Sequence, residues 1–344
     1  MAYLITNNTR LRSSSWNSYY GRQAVGNDLG GGAGKANLEV FAQTLLSMAL
    51  QNKDVLVVTS DSRGSGHLKG FAARLPDQIV EVGVAEQDLV AIAAGLASTG
   101  KIVYAVSPAC FLTARALEQI KNDVCYSDWP VRLVGISAGV SYGPLGSTHH
   151  SLHDIAALRA INNCMIIVPA DNLETEMAVR AAAGLQHPVY IRFGKRPMPH
   201  LHRPGTQFEI GKAIWVMRGS DIAFVATGEV VAQAVDAART LKAQGIESTV
   251  VSMHTIRPLD TQALLAAASS CKAMITVEEH SIAGGLGEAC AAVLMQSGIH
   301  MPFRIMGLPD EETVVGSQLE IFEHYGLSGP RLAQTALELL NGRG

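Results

Sequence analysis

At 344 residues, with 48% hydrophobic and 6% aromatic side chains and a formal charge of −3, the chain has room for two ordinary domains and carries no basic footprint for nucleic acid. No run of about twenty apolar residues occurs and the N-terminus lacks the basic-then-apolar pattern of a signal peptide, so no membrane is expected and the expected location is cytoplasmic. Cys110, Cys125, Cys164, Cys271 and Cys290 are scattered in or beside apolar segments and never spaced as Cys-x-x-Cys, which argues for buried free thiols over a disulfide framework or a zinc site.

Residues 1–34 are polar and turn-rich and read as an N-terminal arm. Gly34-Lys35 suggests a phosphate loop, but Leu29 stands where the first glycine belongs and Ala36 replaces the required Ser/Thr. From Lys35 on, helices and strands alternate. An amphipathic helix over Leu38–Leu50 precedes the apolar strand Val55–Val58. The strand Ile79–Val82 leads into a helix over 86–98, and Ile102–Val106 is the next strand. A helix near 111–126 is followed by strand 131–136, helix 153–161, strand 165–168, helix 172–184 and strand Val189–Arg192.

The proline- and histidine-bearing segment 194–210 reads as a linker. Beyond it come strands Ala213–Val216 and Ile222–Ala226, a helix over 229–243 stopped at Gly245, strands at 247–252, 273–277 and 303–306, and a last helix at 330–341. Strands without polar alternation are buried on both faces, so the expected class is α/β, with two doubly wound, mainly parallel-sheet domains at 35–193 and 211–344. Gly284-Gly285-Leu286-Gly287 lacks the third glycine and the downstream acid of a dinucleotide loop, and a close helix–strand packing turn is the better account.

Open α/β sheets bind ligands at the carboxyl ends of their strands. Three clusters fall there: Ser60-Asp61-Ser62-Arg63-Gly64-Ser65-Gly66, Gly143-Pro144-Leu145-Gly146-Ser147-Thr148-His149-His150, and Arg192-Phe193-Gly194-Lys195-Arg196. Within Val82-Gly83-Val84-Ala85-Glu86-Gln87-Asp88, Glu86 opens a helix, either as a first-turn acid facing free N–H groups or as a proton relay. His149 and His153 are four residues apart, but no Glu accompanies them in the His-Glu-x-x-His manner, so no metal site is expected. Arg192 ends an apolar strand, which suits it to a fixed anionic group better than to bulk solvent.

In order and spacing, the Ser-Gly loop, Val-Gly-Val-Ala-Glu-Gln, the helix at Phe111-Leu112-Thr113, Gly-Pro-x-Gly-x-Thr-His and the Arg-ended strand resemble the pyrimidine-binding half of the transketolase family. The Glu279–Glu288 run and Gly316-Ser317 through Tyr325-Gly326-Leu327 resemble that family's C-terminal domain. The Gly-Asp-Gly that marks the family's diphosphate-binding domain, followed about 25 to 30 residues later by Asn for a magnesium-bound diphosphate, does not occur. The chain therefore resembles one subunit of a split transketolase.

That resemblance implies a thiamine diphosphate-dependent transferase moving a two-carbon ketol unit between a ketose phosphate and an aldose phosphate. The cofactor would be shared with a partner subunit that holds its diphosphate and Mg²⁺, in an α2β2 assembly associating through both domains, and it would supply the carbon–carbon chemistry. Glu86 would hydrogen-bond ring nitrogen N1′ of the aminopyrimidine and promote loss of the thiazolium C2 proton. Phe111 would stack on that ring, and His149 would donate to substrate oxygens. Arg192, with Ser65 and Lys35, would bind the acceptor's phosphate.

Two departures point to an unusual sugar, such as a branched, deoxy or sulfonated one. Leu145 stands where family members often have Asp, and Lys35 where many have arginine, losing the bidentate fork. Two other readings remain beside this one: the β subunit of a 2-oxoacid dehydrogenase's decarboxylating component, and a catalytically silent transketolase-like subunit.

Overall fold

The computed structural model describes residues 33–342, so most of the arm expected at 1–34 lies outside the described residues. Fourteen strands are described: β1 (Ala33–Ala36), β2 (Val55–Thr59), β3 (Ile79–Glu81), β4 (Ile102–Pro108), β5 (Arg132–Ile136), β6 (Met165–Ile167), β7 (Val189–Arg192), β8 (Pro197–Pro199), β9 (Ile214–Met217), β10 (Ile222–Ala226), β11 (Ser248–Ser252), β12 (Thr255–Arg257), β13 (Ala273–Ser281) and β14 (Phe303–Leu308).

They form a seven-stranded sheet in the order β12-β6-β7-β5-β4-β2-β3, a five-stranded sheet in the order β14-β13-β10-β11-β9, and the pair β1-β8. The first sheet is parallel except for β12, and the second is parallel except for β9. The central strands β5, β7, β10 and β11 are buried at every residue, as expected of sheets covered on both faces. Among the described residues no helix is long and apolar enough to cross a membrane, and all five cysteines are free.

Three elements differ from the sequence expectation. The helix expected over 111–126 is broken at Ala116, where φ −104° and ψ 22° end the helix Ala109–Arg115; a short turn follows, then π-helical Ile120–Tyr126. The segment expected as a linker carries β8, which pairs antiparallel with β1. That segment is also tied down further on. Asp171 accepts the Leu201 N–H at 2.8 Å, and buried Glu174 binds His202 Nε2 at 2.7 Å and accepts the Ser252 hydroxyl at 2.6 Å. Finally, β12 follows β11 of the second sheet but pairs with β6 of the first, a crossing that periodicity alone does not reveal.

The glycine turn at 284–287 is a packing turn. The Glu278 carboxylate accepts the N–H groups of Leu286 and Gly287 at 2.7 and 2.8 Å, filling the helix N-terminus where a bound phosphate would lie. A Cβ on Gly287 would lie 2.4 Å from Ile305 on β14.

Candidate active site

Adjacent strands deliver the chemistry-bearing loops. In the order β7-β5-β4-β2-β3, the carboxyl ends lead to Lys195, to Tyr142 and His149, to Phe111 and Arg115, to Ser65 and to Glu86. Parallel strands with right-handed crossovers bring every such loop to the same edge of the sheet. Residues more than a hundred positions apart therefore become neighbours.

Glu86 begins the helix Glu86–Ser98 after a turn in which Gly83 has φ 73°. It is 4% exposed. Just before that turn, Glu81 locks the Ser60–Gly66 loop against it by accepting the N–H groups of Asp61 at 2.6 Å and Gly83 at 3.1 Å and pairing with Arg63 at 3.0 Å. Ser65, half-buried in that loop, donates to Ser62 O at 3.4 Å.

Phe111 lies in the helix Ala109–Arg115, and Arg115 follows one turn later. Its guanidinium carbon sits 4.2 Å from the Phe111 ring centroid, while its Nη1 donates to both Glu86 oxygens at 3.0 and 3.1 Å. Sequence reasoning does not single out Arg115. The available signal is its i, i+4 spacing from Phe111, which places a cation over the ring on one helix face.

The loop after β5 presents His149 between two rings. Its imidazole meets Phe111 at 5.3 Å and Tyr142 at 5.4 Å, both edge to face at 70°, and its Nδ1 is 2.9 Å from the Thr148 hydroxyl. Lys195 Nζ lies 4.6 Å from the centroid of the Tyr142 ring. A continuous file thus runs Lys195, Tyr142, His149, Phe111, Arg115, Glu86. His153, by contrast, faces the Thr113 hydroxyl at 3.3 Å.

The second domain shapes the loop that holds His149. Gly139, at φ 62°, lies so close to Glu279 that a Cβ would fall 2.3 Å from its carboxyl carbon. Glu279 accepts the Val140 N–H at 2.8 Å, and buried His150 closes the loop through Gly143 O at 3.0 Å.

Arg192 requires a correction. Its Nε donates to Asp154 at 2.8 Å, and its Nη2 to Ser151 O at 3.1 Å and Glu279 O at 2.8 Å. Burial alone would lower the guanidinium pKa, but the neighbouring Asp154 overrides it and keeps the group charged. The fixed anion that the strand-end position suggested is Asp154. The guanidinium is committed to these protein acceptors rather than open to an acceptor phosphate. Lys35 is likewise turned away from the file: its ammonium donates to Gln43 at 2.9 Å and pairs with Glu39 at 3.6 Å on the surface of the helix Asn37–Ala49.

Behind the loops lies a pair of buried carboxylates, Glu229 and Glu279. Burial, reinforced by the charge of Glu279, pushes Glu229 up to about 8, and burial also raises Glu279. Neither Glu229 oxygen nor Gln318 Oε1 has a hydrogen-bond partner among the described residues, while Gln318 Nε2 donates to Glu279 at 2.8 Å.

Residues 33–199 match the family described as transketolase, pyrimidine binding domain, and residues 211–332 match transketolase, C-terminal domain. An apulose-4-phosphate transketolase subunit of Phocaeicola vulgatus is 45% identical over 87% of this chain and 96% of its own length. A 6-deoxy-6-sulfo-D-fructose transketolase subunit of a Clostridium species is 32% identical over 88% of this chain and 93% of its own. A solved structure described as a split gene transketolase, inactive beta4 tetramer, superposes with a TM-score of 0.80 at 34% identity, covering 90% of this chain and all of the other.

Proposed function

The chain belongs to the transketolase family, and from that premise we propose that it is the pyrimidine-holding subunit of a two-chain enzyme transferring a two-carbon ketol unit between sugars. One observation carries this reading: a flat group bearing N–H donors, the Arg115 guanidinium, already lies on the Phe111 ring and against the Glu86 carboxylate. A carboxylate beside an aromatic face is the set of contacts that an aminopyrimidine requires, so the residues fit thiamine diphosphate. That cofactor, when bound, supplies the carbanion chemistry of the transfer.

Each residue's task follows from its place. Glu86 holds a proton at the pyrimidine ring nitrogen, and its burial keeps water from competing for that contact. Phe111 fixes the ring plane by stacking. His149, wedged between Phe111 and Tyr142, orients its free imidazole nitrogen toward substrate oxygens. Lys195 and Ser65 lie at the rim, where an anionic or hydroxyl-bearing substrate end would be read. We infer that Mg²⁺ and the diphosphate fall to the partner, since the Gly-Asp-Gly that marks the family's diphosphate-binding domain does not occur in this sequence.

For the substrate we infer a branched or sulfonated sugar phosphate or sulfonate. Leu145, 54% exposed at the tip of the His149 loop, removes a carboxylate that would read an acceptor hydroxyl, and two similar subunits are named for apulose-4-phosphate and 6-deoxy-6-sulfo-D-fructose. The test is to co-express the chain with a Gly-Asp-Gly-bearing transketolase subunit and measure ketol transfer from such sugars. Transfer should need both chains; turnover by this chain alone, or by neither combination, would overturn the proposal.

A further inference from the structure

Glu86 and Arg115 are unequally placed: the carboxylate is 4% exposed, whereas the arginine side chain is 48% exposed. The buried carboxylate stands in the first turn of the helix Glu86–Ser98, whereas the arginine sits at the end of the helix Ala109–Arg115, where the chain breaks into the short turn and π-helical Ile120–Tyr126. A long side chain on such a helix end can leave the pair and be solvated elsewhere.

The guanidinium also copies the shape it would yield to. It is planar, it presents N–H to both Glu86 oxygens at 3.0 and 3.1 Å, and it lays a face on Phe111 at 4.2 Å. These are the two contacts that the aminopyrimidine needs. Arg115 Nη1 already spans both Glu86 oxygens and the guanidinium covers a Phe111 face, so a pyrimidine that takes the same oxygens and the same face must displace it.

We propose that Arg115 is a place-holder: it closes the pyrimidine seat by bridging Glu86 and Phe111, and cofactor entry displaces it. The inference rests on the reading of Glu86 and Phe111 as the pyrimidine seat. In the closed form the buried carboxylate is neutralised and the aromatic face covered, which removes an unpaired buried charge and an exposed apolar patch from the free subunit. The cost falls on cofactor affinity, which is reduced by the fraction of molecules in which the seat is open. An ion pair and a cation–aromatic contact of this exposure together populate the closed form by roughly tenfold. Arg115 is thus a positioning residue that acts through Glu86.

The test uses the two-chain complex, titrated with thiamine diphosphate and Mg²⁺ by calorimetry, comparing the unsubstituted chain with Arg115→Met and Arg115→Lys. Arg115→Met should tighten binding by roughly tenfold, with Arg115→Lys between. Rising salt should narrow the difference, because it screens the half-exposed pair in the unsubstituted chain only. A purely structural arginine would not produce that salt dependence. Equal or weaker binding by Arg115→Met would overturn the place-holder while leaving the seat intact; no cofactor binding by the unsubstituted complex would overturn the seat and the place-holder together.

Discussion

Asp154 and Arg192 meet at 2.8 Å with side chains 0% and 6% exposed, and the same carboxylate accepts the Tyr190 hydroxyl at 2.7 Å. The pair joins the end of β7 to the helix Asp154–Arg159, and through Glu279 O it reaches the second domain. Breaking one side of such a pair leaves a charge stranded in the interior. Asp154→Asn should therefore lower unfolding stability by about 3–5 kcal/mol, whereas Asp154→Leu combined with Arg192→Met should recover part of that loss. Denaturant titration of the three proteins reads this directly. A loss below about 1 kcal/mol for Asp154→Asn would mean that the pair is solvated.

Glu229 gives stability a pH dependence of determined sign. Its folded value of about 8 exceeds its ordinary 4.5, so between those values the folded chain binds more protons than the unfolded one and stability falls as pH rises. Burial likewise raises Glu278, to about 7. Buried His280 works in the opposite sense: lowered by burial from 6.5 to about 4, it makes stability rise across that lower window. The downward slope should thus emerge above pH 6.5. Glu229→Gln keeps the volume and removes the proton, and it should flatten the slope of melting temperature between pH 6.5 and 8.5; an unchanged slope would assign it elsewhere.

His149 is held by rings, without a salt bridge, so its removal should leave cofactor binding nearly intact. His149→Ala in the two-chain complex should lower kcat by about a hundredfold while changing the thiamine diphosphate Kd less than about threefold. Steady-state kinetics beside calorimetry separates the two. A parallel loss of cofactor affinity would make His149 part of the pyrimidine seat instead.

Much of the fold was legible because uninterrupted apolar strands such as Val55–Val58 and Ile222–Ala226 read as buried on both faces, the mark of a parallel sheet. The break after Arg115 was not, because Leu117, Ile120 and Val124 keep a helical period through a backbone that changes its hydrogen bonding. Nor was β12, whose partner β6 lies nearly ninety residues away. At the site, Glu86, Phe111 and His149 were readable as motif positions. The fate of Arg192 was not, since Asp154 reaches it only after the loop at 137–150 folds back. Arg115 escaped notice because an arginine on a helix end carries no chemical signature until its ring and carboxylate are seen beside it.

The role proposed for Glu86 is to activate a cofactor shared with a second chain. It is tested most directly by Glu86→Gln in the co-expressed two-chain complex, followed by ketol transfer and by thermal unfolding. Turnover should fall by at least about a thousandfold while the melting temperature stays within a few degrees of the unsubstituted complex. Turnover within about tenfold of the unsubstituted complex would contradict it.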